Sequence, residues 1–249
     1  FFLKQKLTQE HVNQIGYLPE ERGLYRKMKV GDQAVYLACL KGIPKKEAVQ
    51  RLKYWFDKFE IGSWWNRKVE ELSKGMQQKL QFIVTVIHEP KFFIFDEPFS
   101  GFDPINVNLL KNEILELKKK GASIIFSTHN MASVEELCDD IVLIDKANKI
   151  LDGDIKSIKN QFKENLFQIQ YTTSSPIDLA SILPSCYTVK SISTIEDVFT
   201  ALIQVEQKTA NDLLSALIPH IYIQSFQEIY PTMNEIFISQ VSKINQNTN

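Results

Sequence analysis

The sequence predicts an α/β protein with a parallel sheet between helices, followed by a smaller α+β domain, and three observations carry that reading. The first is Lys91-Phe92-Phe93-Ile94-Phe95-Asp96-Glu97-Pro98, a short apolar run that stops at two adjacent carboxylates and a proline. Such a run suits a strand buried on both faces, as in a parallel sheet covered by helices. Pro98 then prevents easy continuation of the ladder. The second is Ser123-Ile124-Ile125-Phe126-Ser127, another short buried strand one helix later. Strand, helix, strand at this spacing makes a right-handed βαβ unit. The third is a change of texture past Gly153, where alternating stretches replace unbroken apolar ones.

Taken in order, the polar opening to about residue 14 suits at most a short helix or strand. Residues 14–25 read as a strand running into a charged loop, with Pro19 ending the strand and Gly23 letting the loop bend. From residue 30 to 59 the pattern turns helical, is broken at Gly42 and Pro44, and suits a two-helix hairpin, with Trp64 and Trp65 after a second break at Gly62. Leu80, Ile83, Val84 and Ile87 lie on one face of the next helix, which opens at Ser73. A helix over about 105–120 carries Val107, Leu110, Ile114 and Leu117, and Gly121 caps it. Asp140 to Asp145 reads as a strand paired through a turn with residues 149–151. Beyond Gly153, residues 166–171, 187–191 and 221–226 alternate, with helical stretches near Leu179 and Leu213. Thr232-Met233-Asn234-Glu235 is a capping box opening a last helix. The order strand, helix, strand, strand, helix, strand resembles a ferredoxin-like module.

At 249 residues, 44% hydrophobic and 24% charged, the chain suffices for a full core and two domains. Its net charge of -1 gives no overall basic field, so nucleic acid is not an expected partner. Cys39, Cys138 and Cys186 are odd in number and form no C-x-x-C pair, which suits a reducing cytoplasm and gives no support for a metal site. No apolar run approaches the roughly 20 residues that span a bilayer. The chain opens on Phe1-Phe2-Leu3-Lys4, with neither a signal-peptide core nor an initiator Met, and is expected to start partway into a longer protein.

Paired acids at the C-terminal end of a buried strand sit where open α/β sheets place ligands. A strand of this kind, ending in Asp96 and Glu97, can aim one acid at a metal and the other at an attacking water. The crossover brings His129 to the same sheet edge. Ser73-Lys74-Gly75 opens a helix, where free backbone N–H groups and the positive helix end favour an anion, and Gly75 lets a phosphate approach. Each feature alone also has a plain structural reading, as a core strand with a polar turn or as an ordinary N-cap serine. The combination is far rarer than either part.

In this order the residues resemble the motifs of ATP-binding-cassette (ABC) ATPases. Leu72-Ser73-Lys74-Gly75-Met76 resembles the family's signature motif, with Met76 where the family usually has Gln. Residues 92–97 resemble the Walker B strand, Ser100-Gly101-Phe102-Asp103 the D-loop, and His129 the switch histidine. Tyr17-Leu18-Pro19-Glu20 resembles the Q-loop, with Glu20 in place of Gln. The tail resembles, in layout and in the run Pro231 to Phe237, the C-terminal accessory domain of some exporter-type members.

The resemblance implies a P-loop NTPase (RecA-like) sheet core over residues 1–155, with an inserted helical subdomain at about 26–80, and an α+β accessory domain over 160–245. It implies an ATPase subunit, working with ATP and Mg²⁺, that couples hydrolysis to transport. Its partners are separate transmembrane permease subunits and a second ATPase subunit, at the cytoplasmic face of the membrane. Asp96 would hold Mg²⁺, Glu97 would polarise the attacking water, and His129 would contact the γ-phosphate. Ser73, Lys74, Gly75 and Met76 would reach the nucleotide on the second subunit, Asp103 would fix that interface, and Glu20 would sense the nucleotide. One element of the family is absent: none of the nine glycines is followed by Lys, so residues 1–249 contain no G-x-x-x-x-G-K-[ST] phosphate loop. Hydrolysis is therefore expected of the full-length protein, and residues 1–249 alone are expected to be inactive. The alternative is a non-catalytic partner that donates its signature motif to a competent cassette.

Overall fold

The computed structural model describes residues 6, 8–21, 23–175 and 177–247. They form two compact units, Phe1–Asn130 and Met131–Asn249. The opening stretch lies partly outside the described residues, and from it only α1 (Gln9–Val12) emerges.

The first unit is built on a parallel sheet of β1 (Ile15–Leu18), β2 (Phe92–Asp96) and β3 (Ser123–Ser127), in that spatial order. Leu18 lies beside Phe95, and Asp96 beside Ser127, so all three strands end at one edge. Four longer helices accompany it: α2 (Val30–Leu40), α3 (Lys45–Lys58), α4 (Lys74–Val86) and α5 (Pro104–Lys119). The α2–α3 hairpin is the one expected, with Ala34 and Ala38 of α2 and Ala48, Leu52 and Phe56 of α3 fully buried or nearly so. Aromatic rings carry its packing to the sheet. Phe82 of α4 meets Trp55, Phe59 and Phe95 with centroids 6.3, 5.8 and 6.0 Å away, in the range where such pairs attract. A 2.6 Å ion pair from Lys58 to the buried Glu113 ties α3 to α5. Asp103 caps α5, Pro104 occupies its first turn, and Gly121 follows its end at φ +89, as its capping role requires.

One expectation fails in this sheet. The apolar run at Ser123–Ser127 predicts a buried strand, yet its Ile125 is 60% exposed. Among the described residues β3 pairs with β2 alone, so it stands at an edge, where one face and one row of backbone groups lack cover.

In the second unit, α6 (Met131–Leu137) leads into a hairpin of β4 (Asp140–Asp145) and β5 (Asn148–Asp154). Lys146 and Ala147 both take positive φ at its turn, as two-residue hairpin loops demand. After α7 (Ile155–Gln161), β6 (Leu166–Thr172), α8 (Leu179–Ile182), β7 (Tyr187–Ile195), β8 (Val198–Val205), α9 (Ala210–Leu217) and β9 (Tyr222–Ile229) follow. Their sheet is antiparallel throughout in the order β7-β8-β6-β9. Phe167, Ile169 and Tyr171 alternate into its core with Ala201, Ile203 and Val205, under Leu213 and Leu217. α10 (Met233–Asn247) opens with the expected capping box between Thr232 and Glu235. Met233 and Ile236 of α10 pack on Ile155 and Ile158 of α7, with Met131 and Val134 of α6 beside them. This returning helix gathers α6 and α7 into the second unit, and the division between compact units therefore falls ahead of residue 155.

Candidate functional site

β2 and β3 run parallel, so the segments at their C-terminal ends, 96–97 and 127–129, lie side by side. Asp96 Oδ1 accepts the Ser127 hydroxyl. Glu97, one residue on, sits at φ +43, a left-handed conformation rare for a residue with a side chain. Its N–H donates to Ser127 O at 3.0 Å, which holds the backbone in that turn. Its carboxylate then turns toward the strand-end segment at 128–129. Oε1 accepts from His129 N–H at 3.0 Å and lies 2.7 Å from His129 Nδ1. Oε2 accepts from Thr128 Oγ1 at 3.3 Å. An ionised carboxylate only accepts, so Nδ1 carries the proton in this contact. Glu97 is 19% exposed while the His129 side chain is 90% exposed, a shielded acid carrying an open imidazole. The sequence predicts Asp96, Glu97 and His129 at one edge, and the structure places them there.

Glu20 belongs to the same edge, because it follows β1 by two residues and β1 runs parallel to β2. Its side chain is exposed.

Ser73 caps α4, accepting from Met76 N–H at 3.3 Å. That bond uses the N–H of Met76, and by helix geometry the N–H groups of Lys74 and Gly75 have no acceptor within the helix. Ser73 and Lys74 are exposed, and Met76 is half-buried. Gly75 has a reason of its own to be glycine. A Cβ there would come 3.0 Å from the carbonyl oxygen of Gly101 and 3.7 Å from the Phe102 ring. The helix start and the turn at 100–103 are thus packed backbone to backbone within one chain. Asp103 accepts from the N–H groups of Ile105 and Asn106, at 3.0 and 3.1 Å. Those of Asn106, backbone and side chain, hold its carboxyl below the usual aspartate range.

The family model for ABC transporters matches residues 2–100, and that for the ATP-binding protein DrrA1-3-like C-terminal domain matches residues 153–241. The chain is 43% identical to the ABC transporter ATP-binding protein YhaQ of Bacillus subtilis, over 93% of this chain and 76% of that protein. The chain belongs to the ABC transporter ATP-binding proteins. A further ABC transporter ATP-binding protein, from Alkalihalophilus pseudofirmus, is 39% identical over 95% of this chain and 86% of its own length. A solved ATP-binding subunit of an ABC transporter superposes with a TM-score of 0.55 at 32% identity, over 60% of this chain and 62% of that one. This is therefore the ATP-binding subunit of an ABC transporter, with an ABC ATPase fold and a C-terminal domain that is mainly antiparallel β.

Within the ABC frame, three side chains that sequence reasoning passed over stand next to the motif residues. Thr128 touches the Glu97 carboxylate. Gln78 and Gln81, on the buried face of α4, reach carbonyls beside Glu97 and Glu20. Thr128 was within reach of the sequence, as the polar residue between a strand end and the histidine. The glutamines were not, because their role depends on which helix face meets the loops. Asp96, at the end of β2, offers a carboxylate of the kind that suits Mg²⁺, an ion that keeps several waters and takes one or two protein carboxylates.

Proposed function

We propose that this ABC subunit hydrolyses ATP with Glu97 as general base, as one of a pair of ATPase subunits under a permease that exports its substrate. The Glu97–His129 contact carries the reading. Two donors occupy Oε1, whereas Oε2 takes only the longer bond from Thr128 and keeps a lone pair for a proton from water. Such a base is worth roughly 10²–10⁴ in rate. The left-handed backbone at Glu97 costs about 1–3 kcal/mol, and strain of this kind persists where a side chain must be aimed. With Nδ1 turned to Glu97, the exposed ring offers Nε2 to a γ-phosphate oxygen, as a donor when the imidazole is protonated.

Asp96 would hold Mg²⁺, and the ion when bound draws charge from the phosphate oxygens. Glu20 would meet the nucleotide at the same edge and sense its state. The Ser73 hydroxyl and the N–H groups of Lys74 and Gly75 would donate to the γ-phosphate held by the second ATPase subunit, with Met76 at the rim. Asp103 would keep the turn at 100–103 in place against the second subunit by capping α5.

The cassette is taken to run to about residue 155 and the accessory domain over 160–245, which agrees with a C-terminal family match starting at residue 153. Counted within that domain, the strands lie in the order 2-3-1-4 along a βαββαβ chain, which supports a ferredoxin-like reading. Export is supported by the DrrA-like C-terminal domain. Membership of the ABC family supports a peripheral position at the cytoplasmic face, bound to separate permease chains, and among the described residues no helix is long and apolar enough to cross a membrane. The test is reconstitution of the full-length subunit with its permease in liposomes. Mg-ATP-dependent phosphate release coupled to outward substrate movement is expected. Nucleotide binding without hydrolysis would defeat the reading.

A further inference from the structure

The face that α4 turns toward the strand ends contains three polar side chains where an amphipathic helix would place apolar ones. Gln78, Gln81 and Thr85 are 1%, 5% and 6% exposed, and their spacing of three and four residues puts them in one stripe. Each reaches a main-chain carbonyl of a segment at the C-terminal end of β1 or β2. Thr85 Oγ1 lies 3.3 Å from Tyr17 O and 2.8 Å from Gln81 O within its own helix. Gln78 Nε2 donates to Pro98 O, the residue after Glu97, at 3.4 Å. Gln81 Nε2 donates to both Pro19 O at 3.4 Å and Glu21 O at 3.5 Å.

The two Gln81 contacts bracket Glu20. A primary amide has two N–H groups, so one side chain can hold the carbonyl before that residue and the carbonyl after it. The loop after β1 cannot continue the ladder past Pro19, so its carbonyls are open to donors from outside the sheet. Glu20 itself points to solvent. The result is an exposed carboxylate on a backbone pinned from both sides by a helix whose first turn carries Ser73 and Gly75.

We propose that Gln81 is a positioning residue for Glu20, fixing where the Glu20 carboxylate meets nucleotide and tying that position to the signature helix. The proposal rests on the reading of Glu20 as the nucleotide sensor. Positioning of groups around a reacting centre is worth large factors in rate, and a misplacement of about 1 Å is costly.

The test uses the full-length subunit with its permease and a double-mutant cycle of Gln81→Met and Glu20→Ala. Methionine keeps the length and burial of glutamine but has no N–H. Thr85→Val, on the same buried stripe, is the control. The expected result is a fall in kcat of about tenfold for Gln81→Met, with KM for ATP and Tm little changed and Thr85→Val near wild type. In the Glu20→Ala background, Gln81→Met should add nothing further. A purely structural role would not produce that non-additivity. Should the methionine variant fold poorly, Gln81→Asn, which keeps the amide but withdraws it by one methylene, goes through the same cycle. Additive losses in the two backgrounds, or an unchanged kcat, would overturn the proposal. If Glu20→Ala itself leaves kcat unchanged, the sensor reading fails first. If Glu20→Ala impairs turnover and Gln81→Met does not, only the positioning role is lost.

Discussion

At the scale of single residues, the site separates side chains that hold the fold from those that face outward to work. His129 is 90% exposed, and besides its backbone its contact is with one carboxylate. His129→Ala should therefore lower turnover of the reconstituted transporter by orders of magnitude while Tm moves by no more than a degree or two. Loss of the fold in that variant would make the histidine structural. His88 is the opposite case. Burial brings its pKa down to about 4, helped by Lys41 and against the pull of a backbone contact with Ile15, and Arg51 adds a smaller push downward. The unfolded chain takes up a proton near pH 6.5 and the folded chain only near 4, so stability should fall as pH drops through that window and level off below it. Discounted for partial exposure, the effect is on the order of 1–2 kcal/mol. Thermal melts between pH 7 and 4 should show this slope, and His88→Leu should flatten it. An unchanged slope in the variant would assign the pH dependence to the carboxylates instead.

At the scale of elements, the helical hairpin of α2 and α3 and the loop ahead of it leave large apolar side chains open. Tyr25, Tyr36 and Leu40 are 54%, 44% and 62% exposed, and the rings of Tyr25 and Tyr36 meet edge to face at 6.3 Å. That patch is expected to receive a cytoplasmic helix of the permease. Cross-linking from Cys39, or from cysteines placed in the loop at 20–24, should capture a membrane subunit. Products formed only through the domain after Gly153 would argue against it. The hairpin, the βαβ unit and the acids at the end of β2 were all legible in the sequence, because period and punctuation are local. β8 was counted in the order of elements but not located: in Val198-Phe199-Thr200-Ala201-Leu202-Ile203 only Thr200 is polar, so the alternation is faint, and the strand lies between β6 and β7. The roles of Gln78 and Gln81 stayed hidden for a related reason. A polar residue on a helix reads as solvent-facing until the loops that lie against it are placed.

At the scale of the whole molecule, residues 1–249 carry the acids proposed for catalysis and the residues proposed as the signature motif, but no G-x-x-x-x-G-K-[ST] run, and in P-loop enzymes that segment supplies much of the phosphate binding. Each unit leaves apolar strand residues open. Ile125 is 60% exposed in the first, and Val142 and Ile144 are 62% and 65% exposed in the second. Exposed apolar edges template aggregation. Residues 1–249 by themselves are therefore expected to bind Mg-ATP no tighter than background and to be poorly soluble. Isothermal titration and a thermal melt check this, and a cooperative melt with micromolar ATP affinity would contradict it. The account as a whole stands on Glu97 acting as base. Its most direct test is phosphate release by the full-length transporter carrying Glu97→Gln, beside nucleotide binding by the same sample. The amide keeps the size of the side chain but cannot take a proton from water, so ATP should bind as in the wild type while turnover falls to background. Turnover at the wild-type rate would remove Glu97 from the chemistry and with it the central claim.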